Sequence, residues 1–97
     1  MAQVKLLWTT LALEDLDNAY LYVAADNPRA ASAMIARIEA AVNSLRVFPD
    51  AGRPGRVEGT RELVVTGTPF IIPYRTKHRQ IEIIALIHAA RRWPESF

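Results

Sequence analysis

Cysteine is absent from this 97-residue chain, which excludes disulfides and thiolate metal sites. Histidine occurs only as His78 and His88, too few ligands for a structural zinc site. Neither a metal nor a cofactor is expected on these grounds. Long apolar runs are lacking as well. None approaches the roughly 20 residues needed to cross a bilayer, so no membrane partner is expected. The opening Met1-Ala2-Gln3-Val4-Lys5 has no basic region leading into an apolar core, so no signal peptide is expected and the cytoplasm is the default location. Charge of one sign is scarce too: the formal net charge is +2, too small an excess to mark a nucleic-acid footprint by itself.

What is present suits a single domain spanning residues 1–97. With 51% hydrophobic and 23% charged residues, the chain is too apolar for disorder. A domain this small buries a modest share of its surface and gains from a bound partner. Its cations are unevenly placed. Residues 1–48 hold four basic and five acidic side chains, residues 49–97 eight and five. Ten of the twelve basic residues are arginine, which suits planar recognition of phosphate or carboxylate and equally suits a solvated surface.

Val4–Trp8 is short, apolar and β-leaning, with Trp8 expected in the core, and Thr9 or Thr10 can cap a following helix. Leu13, Leu16, Tyr20 and Val23 then recur at helical spacing, which predicts that they form the buried face. Asp26-Asn27-Pro28 breaks this helix and starts another, with Asn27 as cap and Pro28 at the first position. The second helix carries Ala31, Met34, Ile35, Ile38, Ala41, Val42 and Leu45 on one stripe and stops before Pro49. Two amphipathic helices joined so tightly form an antiparallel hairpin.

Residues 49–56, rich in Pro and Gly, read as a loop. Three β-type runs follow, Thr60–Thr66, Phe70–Thr76 and Gln80–His88, separated by connections short enough for antiparallel hairpins. Apolar residues on both faces of the last run predict an interior strand or one covered by a partner. Pro73 cannot donate to a ladder and marks an edge or a bulge. Arg61 and Glu62 point to opposite faces, and Arg75 can brace Glu82 on the neighbouring strand. The expected fold is therefore α+β: an N-terminal strand, an antiparallel two-helix hairpin, then a three-stranded antiparallel meander.

On this layout lie Leu45-x-x-Phe48-Pro49-x-x-Gly52-Arg53, Gly59-Thr60-Arg61-Glu62-Leu63-Val64-Val65 and Pro69-Phe70-Ile71-Ile72-x-Tyr74-Arg75. Ile81-x-Ile83-x-x-Leu86-Ile87-His88 and Ala90-Arg91-Arg92-Trp93-Pro94 complete the series. With Ala12-x-x-Asp15-Leu16 and Pro28-x-x-Ala31 from the helical half, they cover nearly the whole chain and in this order resemble the RelE/ParE superfamily, the plasmid-stabilisation toxins of type II toxin–antitoxin systems. The resemblance implies a cognate antitoxin that wraps a tail around the toxin in a hetero-oligomer. It also implies one of two targets, the ribosome with its mRNA or DNA gyrase.

Metal-free RNA cleavage needs a base for the 2′-hydroxyl, cations for the phosphate and an acid for the leaving oxygen. In the ribonuclease branch an arginine commonly precedes a Leu-Val-Tyr-like stretch on the middle strand. The matching stretch here is Phe70-Ile71-Ile72-Pro73-Tyr74, with an apolar residue where that arginine would stand. The C-terminal tyrosine used by several ribonuclease members is absent too, the chain closing on Trp93 and Phe97. If the chain is a ribonuclease, the remaining catalytic candidates are His88, Arg61 and Arg75, with His88 as general acid or base. His88 followed by Ala-Ala-Arg-Arg also resembles the ParE-like ending, which implies target binding by Arg91, Arg92 and Trp93. The reading leans to gyrase inhibition, with mRNA cleavage or a non-toxic antitoxin-binding module as alternatives.

Overall fold

Thr9 marks the point where the chain turns from strand to helix. The computed structural model describes residues 4–90 and Trp93, with β1 (Lys5–Trp8) before Thr9 and α1 (Thr10–Ala24) after it. The Thr9 hydroxyl accepts from the Ala12 N–H at 3.0 Å, satisfying a donor that the helix start leaves without an intrahelical partner. Asn27 likewise caps α2 (Pro28–Ser44), accepting from the Ala30 N–H at 3.0 Å. The two helices reverse across Ala25–Asn27 and pack on each other. No helix among the described residues is long and apolar enough to cross a membrane.

The buried side of α1 differs from the one its large apolar residues predict. Ala12 and Ala19 are buried, while Leu13 and Tyr20 are exposed. Leu16 and Val23 belong to both stripes and are partly buried. The true stripe thus lies one residue earlier, because alanine lets the helix approach its neighbours more closely than leucine and tyrosine would. On α2, Ala31, Ile38 and Val42 are buried as predicted, and Leu45 follows at the helix end.

Strands β2 (Arg53–Pro54), β3 (Arg61–Val64), β4 (Phe70–Lys77), β5 (Gln80–Ile83) and β6 (Ile87–His88) complete the chain. The sheet order is β1-β5-β4-β3-β2, with β6 also paired to β4. The antiparallel meander is β3-β4-β5, as expected. β1 joins it in parallel alongside β5, and β2 forms from the loop predicted to be irregular. The helix-facing side of the sheet carries Ile72, Tyr74, Ile81 and Ile83 against Ile38, Val42 and Leu45. Trp8 packs against this core while partly exposed.

The run predicted as one strand, Gln80–His88, is broken at a bulge. Tyr74 pairs with Ile83 and Ile71 with Ile87, so Ile72 and Pro73 face Ile84, Ala85 and Leu86. Pro73 is the cause. Its carbonyl accepts from the Ile84 N–H at 3.0 Å, so a regular pair would return a bond from residue 73 to the Ile84 carbonyl. Proline has no N–H to give. The Thr9 hydroxyl donates to the Ile84 carbonyl instead, at 2.8 Å. The Leu86 N–H, displaced from the ladder, donates to Asp15 of α1 at 3.0 Å. One threonine therefore caps α1 and completes the bulge, so Thr9→Val should lower stability by about 2 kcal/mol, the sum of a lost cap and an unsatisfied carbonyl. Urea denaturation measures this, and a loss under about 0.5 kcal/mol would show that water replaces both bonds.

Candidate functional site

Among the described residues, Glu62 is the charged side chain that the fold buries, at 2% exposure. It stands on β3 opposite Arg53 of β2, on the sheet face away from the helices. Arg53 donates to Oε1 from Nε at 3.3 Å and from Nη2 at 3.2 Å. The Arg56 backbone N–H donates to Oε2 at 2.7 Å, with its guanidinium Nε at 3.9 Å. A carboxylate withdrawn from water needs such compensation. The Arg56 guanidinium also lies 4.1 Å from the centroid of the Trp93 ring, in cation–π geometry. Trp93 is half-buried, and its indole N–H has no hydrogen-bond partner among the described residues.

Arg61 points to the other face, as predicted, and is engaged there. It donates to the Gly52 carbonyl at 2.7 Å and the Asp50 carbonyl at 3.4 Å, and approaches the Asp50 carboxylate at 3.6 Å. Its register partner Tyr74 donates to the Pro49 carbonyl at 2.8 Å and accepts from the Gly52 N–H at 2.9 Å. Together they pin residues 49–52 to the sheet. Burial raises the Tyr74 hydroxyl pKa above its ordinary 10.0, partly opposed by the Gly52 bond and the Arg61 charge, so the phenol stays a neutral donor.

Arg75 and Glu82 are register partners, with Nε 2.9 Å from Oε1, the brace expected from the sequence. His88 pairs with Phe70, their rings edge to face at 5.6 Å and 79°. Its Nδ1 accepts from the Ala90 N–H at 3.1 Å. Beside it opens a cavity of about 700 Å³, lined by Asp15, Ala19, Tyr22, Met34, Phe70 and Leu86 among others.

These candidates are not brought together. Arg61 sits at the register of Tyr74 and His88 at that of Phe70, four residues or about 13 Å along β4. Arg75 faces the opposite side of the sheet. Arg91 and Arg92 lie outside the described residues. Sequence reasoning missed the Arg53–Glu62–Arg56 cluster, because residues 49–56 read only as a loop. An acidic residue flanked by Leu63-Val64-Val65 was the one signal for it, since a charge inside an apolar strand asks for a partner. No group of three metal-ligating His, Asp or Glu side chains exists among the described residues.

The sequence profile described as "ParE toxin of type II toxin-antitoxin system, parDE" matches residues 6–93. Y4kP of Sinorhizobium fredii, a protein whose name calls it a toxin, is 44% identical over 95 residues, 98% of each chain. Toxin RelE2 of Caulobacter vibrioides is 38% identical over 91 residues, covering 94% of this chain and 99% of its own. Among solved structures, the chromosomal ParDE system of P. aeruginosa superposes with a TM-score of 0.79 at 34% identity, covering 88% of this chain and 95% of that one. The RelBE2 toxin–antitoxin complex of Mycobacterium tuberculosis gives a TM-score of 0.61 at 28% identity, covering 94% and 97%.

Proposed function

The chain belongs to the ParE toxin family of type II toxin–antitoxin systems, and we propose that it stops growth as a non-nucleolytic inhibitor of DNA gyrase. One observation carries this reading: the groups that RNA cleavage would need do not share a site. Arg61 is committed to the carbonyls of residues 50 and 52, and Arg75 to Glu82 on the other face. A phosphate transition state needs cations held within hydrogen-bond reach of one point. Target contact then falls to Arg91, Arg92 and Trp93, the last anchored beneath Arg56.

The alternative, ribosome-dependent mRNA cleavage, draws on His88 at the border of the cavity. The partner in either case is an antitoxin, as in the RelBE2 complex, acting with the toxin in the cytoplasm. Tyr22 stands exposed on α1 at that cavity, and Leu11 and Leu21 are exposed on the same helix, apolar surface of the kind that a folding-on-binding tail covers.

Pulse-labelling of DNA and protein synthesis within minutes of inducing the chain alone tests the reading. DNA synthesis is expected to stop first, and the purified chain to inhibit gyrase supercoiling. Arg91→Ala/Arg92→Ala should abolish both effects while leaving the fold intact. Earlier arrest of protein synthesis, with new cuts in translated messages by primer extension, would replace this reading with the ribonuclease one.

A further inference from the structure

We propose that the β4–β5 hairpin tip, with the adjoining end of β1, is a sequence-independent contact for the phosphate backbone of nucleic acid. The first observation is the turn itself. Lys77 pairs with Gln80, so His78 and Arg79 form a two-residue loop, and both have positive φ, 51° and 60°. Such turns favour Asn-Gly, because side chains with a Cβ crowd the backbone in this region. Histidine tolerates it better than most residues. Arginine stands where glycine would fit without strain, so a guanidinium is held at the tip against the local backbone preference. Conformations of this kind occur at functional sites.

The second observation is where the neighbouring cations fall. Gln80 is in register with both Lys77 and Lys5, so these two lysines project from the same sheet face, two strands or about 10 Å apart. Arg46 reaches the same end of the sheet, donating to the Val4 carbonyl at 3.3 Å. Lys5, Arg46, Lys77 and Arg79 are all exposed, and none has a carboxylate partner among the described residues. Other arginines of the sheet, Arg53, Arg56, Arg61 and Arg75, are neutralised by carboxylates. Arg29 and Arg37 of α2 also lack a carboxylate among the described residues, but Lys5, Arg46, Lys77 and Arg79 gather at one end of the sheet in a chain whose net charge is only +2.

The chemistry of the patch favours a phosphate backbone over an acidic peptide. The tip and its flanking row, Thr76 to Gln80 with Lys5, carry no apolar side chain in which a peptide could seat an anchor. A phosphate backbone needs only spaced cations, and its affinity comes from counterion release. DNA and RNA offer the same chemistry, so both belong in the test. The inference does not rest on gyrase as the target. A chain that inhibits gyrase yet ignores free nucleic acid would overturn it and leave that reading standing.

The test is fluorescence anisotropy of the full chain with labelled random-sequence duplex DNA, single-stranded RNA and a poly-glutamate peptide, across 50–200 mM salt as a range on the order of that used for such slopes. The expected result is sequence-independent binding to DNA, RNA or both, steeply weakened by salt. Lys77→Ala/Arg79→Ala should lower the log–log salt slope by about two. His78→Asn/Arg79→Gly separates function from folding: relief of the turn should raise the melting temperature while affinity for nucleic acid falls. Preference for duplex DNA or for RNA identifies which backbone the patch meets, and either supports the proposal. Unchanged slopes in both variants, no binding at the lowest salt, or preferential capture of poly-glutamate would overturn it.

Discussion

Removing both guanidinium groups that neutralise Glu62, in an Arg53→Ala/Arg56→Ala variant, is expected to lower the unfolding free energy by about 3–5 kcal/mol. Arg53 and Arg56 are themselves about half exposed, whereas the Glu62 side chain is 2% exposed. The asymmetry decides which deletion hurts more. Truncating the arginines leaves a buried carboxylate with the Arg56 backbone N–H as its remaining donor. Truncating the carboxylate releases two cations that can turn into water. Glu62→Gln alone should therefore cost less than the double arginine variant. Added to that variant, it should recover much of the loss, since a neutral amide is cheaper to desolvate than a carboxylate. For a domain of this length the double variant should melt roughly 15–30 °C lower.

Denaturant titration of the four proteins decides the matter. A loss below about 1 kcal/mol would place the pair among exposed ion pairs of little net worth. A functional consequence follows through Trp93, over which the Arg56 guanidinium lies. In a Trp8→Phe background, Arg56→Ala should shift Trp93 fluorescence to the red as the indole gains water. Arg91 and Arg92 immediately precede Trp93 in the sequence, so growth arrest should weaken in the same variant.

Gly52→Ala is expected to cost about 3 kcal/mol, at the upper end of the range for overpacking. A Cβ at this position would lie 2.6 Å from Tyr74 Cε1, 2.7 Å from its hydroxyl and 3.0 Å from the Glu62 carbonyl. None of these can yield easily. The tyrosine is fully buried, its hydroxyl is held by Pro49 and Gly52, and the third atom is backbone. Tyr74→Phe should cost about 2 kcal/mol by leaving those two backbone groups unsatisfied. Combined, the two substitutions should cost less than their sum, because the bond between Gly52 and the hydroxyl is lost only once.

The pH dependence separates the bond from the clash. Burial raises the Tyr74 pKa above 10.0, so the folded state holds the phenolic proton more tightly than the unfolded one. Its contribution is complete below about pH 10 and is lost as pH rises through the folded value. Tyr74→Phe should remove that alkaline fall in stability, while Gly52→Ala, which keeps the phenol, should retain it.

Several features are legible in the sequence because they depend on residues close in the chain. A cap at Thr9 or Thr10, the Asn27 cap, the break at Asp26–Pro28, the stripe on α2 and the β3-β4-β5 meander all follow from spacing and backbone chemistry. The opposite facing of Arg61 and Glu62 follows from strand alternation, and the Arg75–Glu82 brace from a short hairpin. The RelE/ParE resemblance draws on motifs spread along the chain, and the family match over residues 6–93 agrees with it.

Other features are decided only where distant segments meet. Periodicity marks Leu13 and Tyr20, yet packing selects Ala12 and Ala19, because two adjacent helical stripes differ by a rotation that only the sheet can choose. Pro73 announces an edge or a bulge. Which one it marks depends on Thr9 and Asp15, separated by some seventy residues from Ile84 and Leu86, whose backbone groups they satisfy. Arg53 and Arg56 look like loop residues until Glu62 is buried between them, and Arg61, Arg75 and His88 look like one constellation until the register of β4 sets them apart. Local sequence dictates dihedral preference and amphipathic phase, whereas desolvation and register depend on which surfaces the folded chain brings into contact.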